Sequence, residues 1–371
     1  MIRSPTTLLS SRMLILSEAE VRSCFPVSAA IRCNRKALSS LRKNGDGGAM
    51  VPSRIGLPYN PGDASSSPST DWSLFKPAAY YPTDKKEGDK DAIIMGMKVV
   101  SVRANNPSIG KPTVPATVML LNPETGEVST IMAATYLTAA RTAAGSALAT
   151  ELALANNPQE DLTLVVFGAG LQSELHIKSI QHVVRVKQVI IINRTLERAE
   201  KLKAELLQSD SDSEPSSIST LVLTDAVAVQ HAVQNADVIV TATNTCVPLF
   251  DGKLVKPGCH INGVGSFTPQ MKEVDDTLVQ RCEVLIDTPE AMDVGDLSWL
   301  NSRIGSAPNN TGMIGDALSG NFLFGKLRDD DTEQIDCTFF KSCGTAIQDV
   351  VSAQYVSDLA SAKGIGTSVE M

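Results

Sequence analysis

Apolar and polar positions follow two different rhythms along this chain, and the change of rhythm marks a change of architecture. Residues 13–41 (MLILSEAEVRSCFPVSAAIRCNRKALSSL) give a short strand and then two helical stretches, each opening near a serine able to cap it. Residues 60–73 (NPGDASSSPSTDWS) and 83–91 (TDKKEGDKD) are turn-rich or charged and read as loops, with strand candidates between and after them. Residues 93–103, Ala116–Leu121 and 128–132 are β-rich, and NPETG between the last two reads as a hairpin turn, so an antiparallel sheet is predicted here. Residues 133–155 are strong helix formers and read as a connector between two domains.

Beyond that connector the rhythm becomes strand, glycine turn, helix, strand. The apolar run Leu162–Phe167 has strand length and stops at Gly168, and 189–192 is a second β-branched run of the kind a buried parallel strand needs. A helix is expected at 196–207, followed by QSDSDSEPSSIS (208–219), whose polar composition reads as a disordered loop. Short apolar runs at 238–242, 258–264, 284–287 and 337–340 are spaced like strands of a doubly wound sheet. The last helix, 345–362, sets Ile347, Val350, Val351, Tyr355 and Leu359 at helical spacing and is read as packing back on the amino-terminal part. The fold class predicted is α/β: a Rossmann-type doubly wound parallel sheet, plus a second α+β domain built from the amino-terminal part and the carboxyl-terminal helix.

The glycine turn brings the first chemistry. Gly168 permits a tight turn, Gly170 lets backbone approach a pyrophosphate, and the N–H groups at the helix start hold its charge. The turn FGAGLQ therefore makes Gly168, Ala169, Gly170 and Gln172 candidate cofactor contacts, with Ser173 standing where a third glycine is usual. The next strand ends in Asn193, Arg194 and Thr195. An NAD site usually places Asp or Glu there to bond the ribose 2′-hydroxyl, whereas Arg194 offers a planar cationic fork suited to a 2′-phosphate, so NADP(H) is preferred over NAD(H). One charge-assisted hydrogen bond contributes about 1.5–3 kcal/mol, roughly tenfold or more in affinity. Thr243 and Asn244 end the run VIVTATN, and Gly265 and Ser266 follow another strand end; both loops fall where a cofactor crevice is lined.

Composition narrows the class without redirecting it. A chain of 371 residues with 43% hydrophobic content has room for two domains of an ordinary α/β protein. A formal charge of −8 with scattered basic residues argues against a nucleic-acid surface. Residues 133–155 contain Arg141, Glu151 and several threonines, which makes a poor membrane span. Seven cysteines without a C-x-x-C pair fit reduced thiols, and Cys343 is expected to be a buried one. His176, His182, His231 and His260 lack ligand spacing, so they read as core or helix-surface histidines and no metal is inferred. A cytoplasmic chain is expected, with a mitochondrial one as the alternative because residues 1–12 are basic, serine-rich and free of acids.

Taken together, RTAAGSALAT (141–150), FGAGLQ, NRT, INGVGSFTP and FFKSCGTAIQD resemble, in order, the ornithine cyclodeaminase and mu-crystallin family, and the resemblance spans residues 13–366. It implies a two-domain enzyme, commonly a homodimer: a substrate-binding and dimerisation domain at 13–145, completed by 343–371, and a Rossmann dinucleotide-binding domain at 146–342. It also implies that Arg54, Lys98 and Arg141 are the substrate-side basic residues. Their chemistry suits that role, since an α-carboxylate is well held by arginine forks and a lysine serves as cationic anchor or proton donor.

One departure bears on the reaction. Phe267 falls where cyclodeaminases of the family carry an aspartate beside the substrate amine, and phenylalanine can neither stabilise an iminium nor move its proton. Reducing a preformed cyclic imine asks less of the site. The expected activity is therefore NADPH-dependent reduction of cyclic ketimine carboxylates, on a small imine or amino-acid substrate bearing a carboxylate. The alternatives are an ornithine cyclodeaminase, then an alanine dehydrogenase, and, in a different class, a mu-crystallin-like binding protein for NADPH and small ligands.

Overall fold

The computed structural model describes residues 12–41, 47–59, 71–83, 92–155, 161–208, 215, 217–298, 311–325 and 336–370. Residues 1–11 of the segment behind the alternative mitochondrial reading, 60–70 and 84–91 of the two expected loops, and 209–214 and 216 of the polar stretch lie outside the described residues.

In chain order the first half runs β1 (Arg12–Leu16), α1 (Glu18–Cys24), α2 (Val27–Ser39), β2 (Ala49–Met50), β3 (Ile55–Pro58), β4 (Trp72–Tyr80), β5 (Ile94–Val102), β6 (Ala116–Leu121), β7 (Val128–Ala133) and α3 (Thr135–Leu154). The second half runs β8 (Leu162–Phe167), α4 (Leu171–Val183), β9 (Val186–Asn193), α5 (Leu196–Leu207), β10 (Ser217–Val222), α6 (Ala226–Asn235), β11 (Val238–Thr241), β12 (His260–Gly263), α7 (Asp276–Gln280), β13 (Cys282–Ile286), β14 (Thr311–Met313) and β15 (Cys337–Lys341). A carboxyl-terminal helix, Ala346–Lys363, and a strand β16, Thr367–Glu370, follow. The chain divides into two compact units: the first comprises Met1–Pro26, Ala49–Thr138 and Asp349–Met371, and the second Val27–Gly48 and Ala139–Gln348.

In the first unit one sheet has the order β16-β1-β7-β6-β5-β4-β2, with β3 paired to β4. The expected antiparallel pairing of β5, β6 and β7 is present. NPETG closes its hairpin because Asn122 accepts the Glu124 N–H on its side chain (2.9 Å) and the Gly126 N–H on its carbonyl (2.9 Å), with Gly126 at φ +76. Trp72 and Ser73, expected in a loop, begin β4, whose whole length pairs with β5. Even-numbered side chains of β5 turn toward the carboxyl-terminal helix: a Cβ added to Gly96 would lie 3.3 Å from Val350. The same helix bonds Ser357 to Thr130 (2.7 Å) and sets Tyr355 against Phe25. α1 starts on a reciprocal cap, with the Ser17 N–H donating to Glu20 (2.7 Å) and the Glu20 N–H donating to the Ser17 hydroxyl (3.4 Å).

In the second unit all eight strands are parallel, in the order β10-β9-β8-β11-β12-β15-β13-β14. Both faces are covered, which is why its strands read as unbroken apolar runs rather than alternations. Leu162, Leu164 and Val166 pack with α4 and α5 residues Ile177, Ile180, Ala199 and Leu202, while Val165 and Phe167 point the other way, toward Val229 and Val233 of α6. Each such fully buried aliphatic side chain contributes about 1.5–3 kcal/mol. Residues 217–219, expected within a disordered loop, instead form the start of β10, because backbone pairing with β9 overrides their polar composition.

Candidate active site

The chain leaves β8 for β9 and β10 on one side and returns to β11 and β12 on the other, so the order reverses between β8 and β11. A crevice outside the strand carboxyl ends at such a reversal is where an α/β sheet takes its ligand. Gly168 lies there at φ +114, and a Cβ on it would come within 2.7 Å of the Ala242 carbonyl and 3.0 Å of Ser173 Oγ, so glycine is required. Its N–H donates to the Ile192 carbonyl at 2.9 Å, tying the turn to the end of β9. Gly170 caps α4 and has nothing within 4 Å of where its Cβ would be. Ser173 fits the third-glycine position because its fully buried side chain occupies the space that Gly168 leaves. Gln172 carries a buried Oε1 that accepts no hydrogen bond. Exposed backbone at Gly170 and the start of a 13-residue helix fit a bound pyrophosphate.

At the end of β9 the Asn193 side chain donates to the Thr195 carbonyl (2.8 Å), which uses it to shape the turn. Arg194 and Thr195 are exposed.

On the far side of the reversal, Thr243, Gly265 and Ser266 are brought together through a residue the sequence reading did not single out. Glu273, fully buried, accepts from the Thr243 N–H and hydroxyl (2.7 Å each), the Gly265 N–H (2.7 Å), the Thr241 hydroxyl (3.0 Å) and the Ser266 N–H (3.1 Å). Behind it, Asp296 accepts the Glu273 and Val274 N–H groups (2.6 and 3.1 Å), the Ser266 hydroxyl and Lys341 Nζ (3.0 Å), and Lys341 also donates to the Ser266 carbonyl. Burial, then the Asp296 charge, raises the Glu273 carboxyl above its ordinary range. Burial also pushes Asp296 up, but Lys341, Ser266 and the two N–H donors outweigh it and hold that carboxyl low. Ser266 is thus a buried member of this network, with its hydroxyl committed to Asp296. Asn244 is exposed, and Phe267 is half-buried in the loop beyond Ser266.

The basic residues are distributed over the two units. Lys98, on β5 of the first unit, is 1% exposed, with Nζ 2.7 Å from Asp349 Oδ1. Arg54 is half-buried in the stretch leading into β3. Arg141, on α3 in the second unit, is 4% exposed and donates to Gln348 Oε1 (3.3 Å), which also accepts the Thr345 N–H (3.0 Å). Gly344, at φ +72, is required beside it, since any Cβ there would strike the Arg141 guanidinium. The same tail turn is pinned by Asp287, which accepts from the Ser342 hydroxyl (3.0 Å) and the Cys343 and Gly344 N–H groups (3.1 and 2.7 Å). Cys343 is half-buried rather than buried, because its backbone is drawn to Asp287.

His176 and His260 are core residues. His176 bonds the Gln172 carbonyl and the Ser146 hydroxyl, and His260 bonds Thr338 and Asn262. Burial lowers them to about 4 and about 3 respectively. His182 and His231 are exposed on helices. Among the described residues no helix is long and apolar enough to cross a membrane.

Fold and crevice together define a Rossmann-type α/β protein with a glycine turn at its strand-order reversal. Residues 81–364 match the ornithine cyclodeaminase/mu-crystallin family, and the chain belongs to it. An uncharacterized cyclodeaminase of Dictyostelium discoideum is 30% identical over 97% of this chain and 100% of its own length. The ketimine reductase mu-crystallin of Mus musculus is 31% identical over 87% of this chain and 89% of its own. Among solved structures, the Delta(1)-pyrroline-2-carboxylate reductase of Thermococcus litoralis, in complex with NADH and L-proline, superposes with a TM-score of 0.79 at 23% identity, covering 96% of this chain and 100% of that one.

Proposed function

We propose that this protein is a nicotinamide-dependent reductase of cyclic ketimine carboxylates. The observation that carries the reading is the glycine turn at the strand-order reversal, in a chain of a family whose mouse member is a ketimine reductase. Gly168, Ala169 and Gly170, with the start of α4, would hold the pyrophosphate, and Gln172 lies in the first turn of that helix. The bound dihydronicotinamide supplies the hydride. The chain's own residues bind the substrate and manage its proton. Arg141, preset by Gln348 and Gly344, is the carboxylate fork, with Arg54 a second cation for it. Lys98, held in place by Asp349, is the buried ammonium that keeps the imine nitrogen protonated.

NADP(H) is the preferred cofactor in this reading. Arg194 is exposed at the end of β9 and makes no ion pair with the described residues, and no carboxylate stands at 193–195 to bond a 2′-hydroxyl. An ornithine cyclodeaminase is the second reading, favoured by the match to the Dictyostelium discoideum protein and opposed by Phe267 at the loop beyond β12.

The test is oxidation of NADPH and NADH, followed optically, with Δ1-pyrroline-2-carboxylate and Δ1-piperideine-2-carboxylate. Rapid NADPH oxidation is expected, with turnover abolished and NADPH affinity retained in Lys98→Met. Ammonia release from ornithine without any imine reduction would overturn the reading in favour of the cyclodeaminase.

The protein is also proposed to be a homodimer. Met50, Ile55, Leu57 and Tyr59, on and beside β2 and β3, are each more than half exposed, an apolar surface that a soluble unit covers by association. Light scattering should show a dimer that Ile55→Lys with Leu57→Lys converts to monomer.

A further inference from the structure

We propose that Glu273 is a positioning residue for the nicotinamide half of the cofactor crevice, fixing the loops after β11 and β12 in one arrangement. The inference rests on the dinucleotide reading above. If the 2′-phosphate end lies at β9 and the pyrophosphate at β8, the strand order β9-β8-β11-β12 leaves the nicotinamide half over β11 and β12. The loops that leave those two strands both end on a single carboxylate.

Five donors from four residues reach Glu273: two from Thr243, and one each from Thr241, Gly265 and Ser266. An ionised carboxylate offers about four lone-pair sites, so its capacity is filled. The three loop N–H groups are therefore turned inward and unavailable to a ligand. The fit is close, because a Cβ at Gly265 would collide with the Thr243 backbone and lie 2.6 Å from Glu273 Oε1. Glu273 cannot shift, because its own N–H is held by Asp296, which is fixed in turn by Lys341 at the end of β15. The loops after β11 and β12 are thereby locked through one side chain, and the end of β15 is tied to them through Asp296. Hydride transfer is sensitive to the placement of the donor ring, and a displacement of about 1 Å is enough to cost about 10²-fold in rate.

The test compares wild type with Glu273→Gln and Thr241→Val. An amide presents a donor where the carboxylate accepts, so Glu273→Gln breaks part of the set, while Thr241→Val removes one donor at nearly constant volume. NADPH affinity is read from nucleotide fluorescence, kcat and KM from imine reduction, and the transferred face from (4R)- and (4S)-deuterated NADPH. The expected result is NADPH affinity within about threefold of wild type in both variants. In Glu273→Gln, kcat should fall by about 10²-fold with loss of strict face selection, and in Thr241→Val by several-fold. Should Glu273→Gln fail to fold, the kcat and face selection of Thr241→Val decide. Unchanged kcat and face selection, or kcat and NADPH affinity lost in equal measure, would overturn the proposal by showing a purely structural role. Wild-type protein that binds neither NADPH nor NADH would overturn the dinucleotide reading, and this inference with it.

Discussion

At the scale of single residues, the glycines show most directly how backbone freedom is exchanged for chemistry. Gly168 and Gly344 both stand at positive φ, and in each case the missing Cβ makes room: for the Ala242 carbonyl beside the turn after β8, and for the guanidinium of Arg141. Arg194 is the residue whose removal tests the proposed preference for NADPH. Arg194→Ala is expected to weaken NADPH binding by about tenfold or more and leave NADH binding unchanged, because only the 2′-phosphate calls on the guanidinium; paired titrations with both nucleotides check it. An equal loss for both would mean that Arg194 serves the pyrophosphate or the fold instead.

Elements were more legible in the sequence than the links between them. β8, the glycine turn, α4 and β9 could be read because each rests on residues close in the chain: a run of β-branched side chains, two glycines and a helical stretch. The start of α1 was equally local, since Ser17 and Glu20 satisfy each other's backbone. Ser17→Ala should cost about 1 kcal/mol in urea unfolding, a loss that a capping Asp in its place largely restores. β10 was obscured because an edge strand is held by backbone pairing and needs little apolar content, so its serines read as loop. The Glu273–Asp296–Lys341 network was illegible for another reason. Its members lie 23 and 45 residues apart along the chain, and only the parallel order of β11, β12 and β15 brings them together. Charged residues at strand carboxyl ends were the available signal, but a lone Glu, Asp or Lys near a turn is far more often solvated.

At the scale of the whole molecule, two buried neutral histidines make stability depend on pH. Their pKa values in the fold, about 4 for His176 and about 3 for His260, lie below the ordinary value near 6.5. As pH falls below 6.5 the unfolded chain takes up protons that the folded chain refuses. The stabilisation is therefore complete above pH 6.5 and is lost progressively on acidification toward pH 4, by about 2 kcal/mol per histidine at pH 5. Urea midpoints at pH 7.5 and pH 5 should differ accordingly, and a flat profile would show that these rings are hydrated in solution. The last consequence concerns biosynthesis. β1 and β16 are bonded neighbours, and the helix over Gly96 and Lys98 is made only after residues 139–348 of the second unit, which are continuous. All the described strands of the second sheet are made between β7 and the helix that covers the first. The sheet that carries Lys98 must wait with its apolar face uncovered, and that interval is when a chaperone would meet the nascent chain.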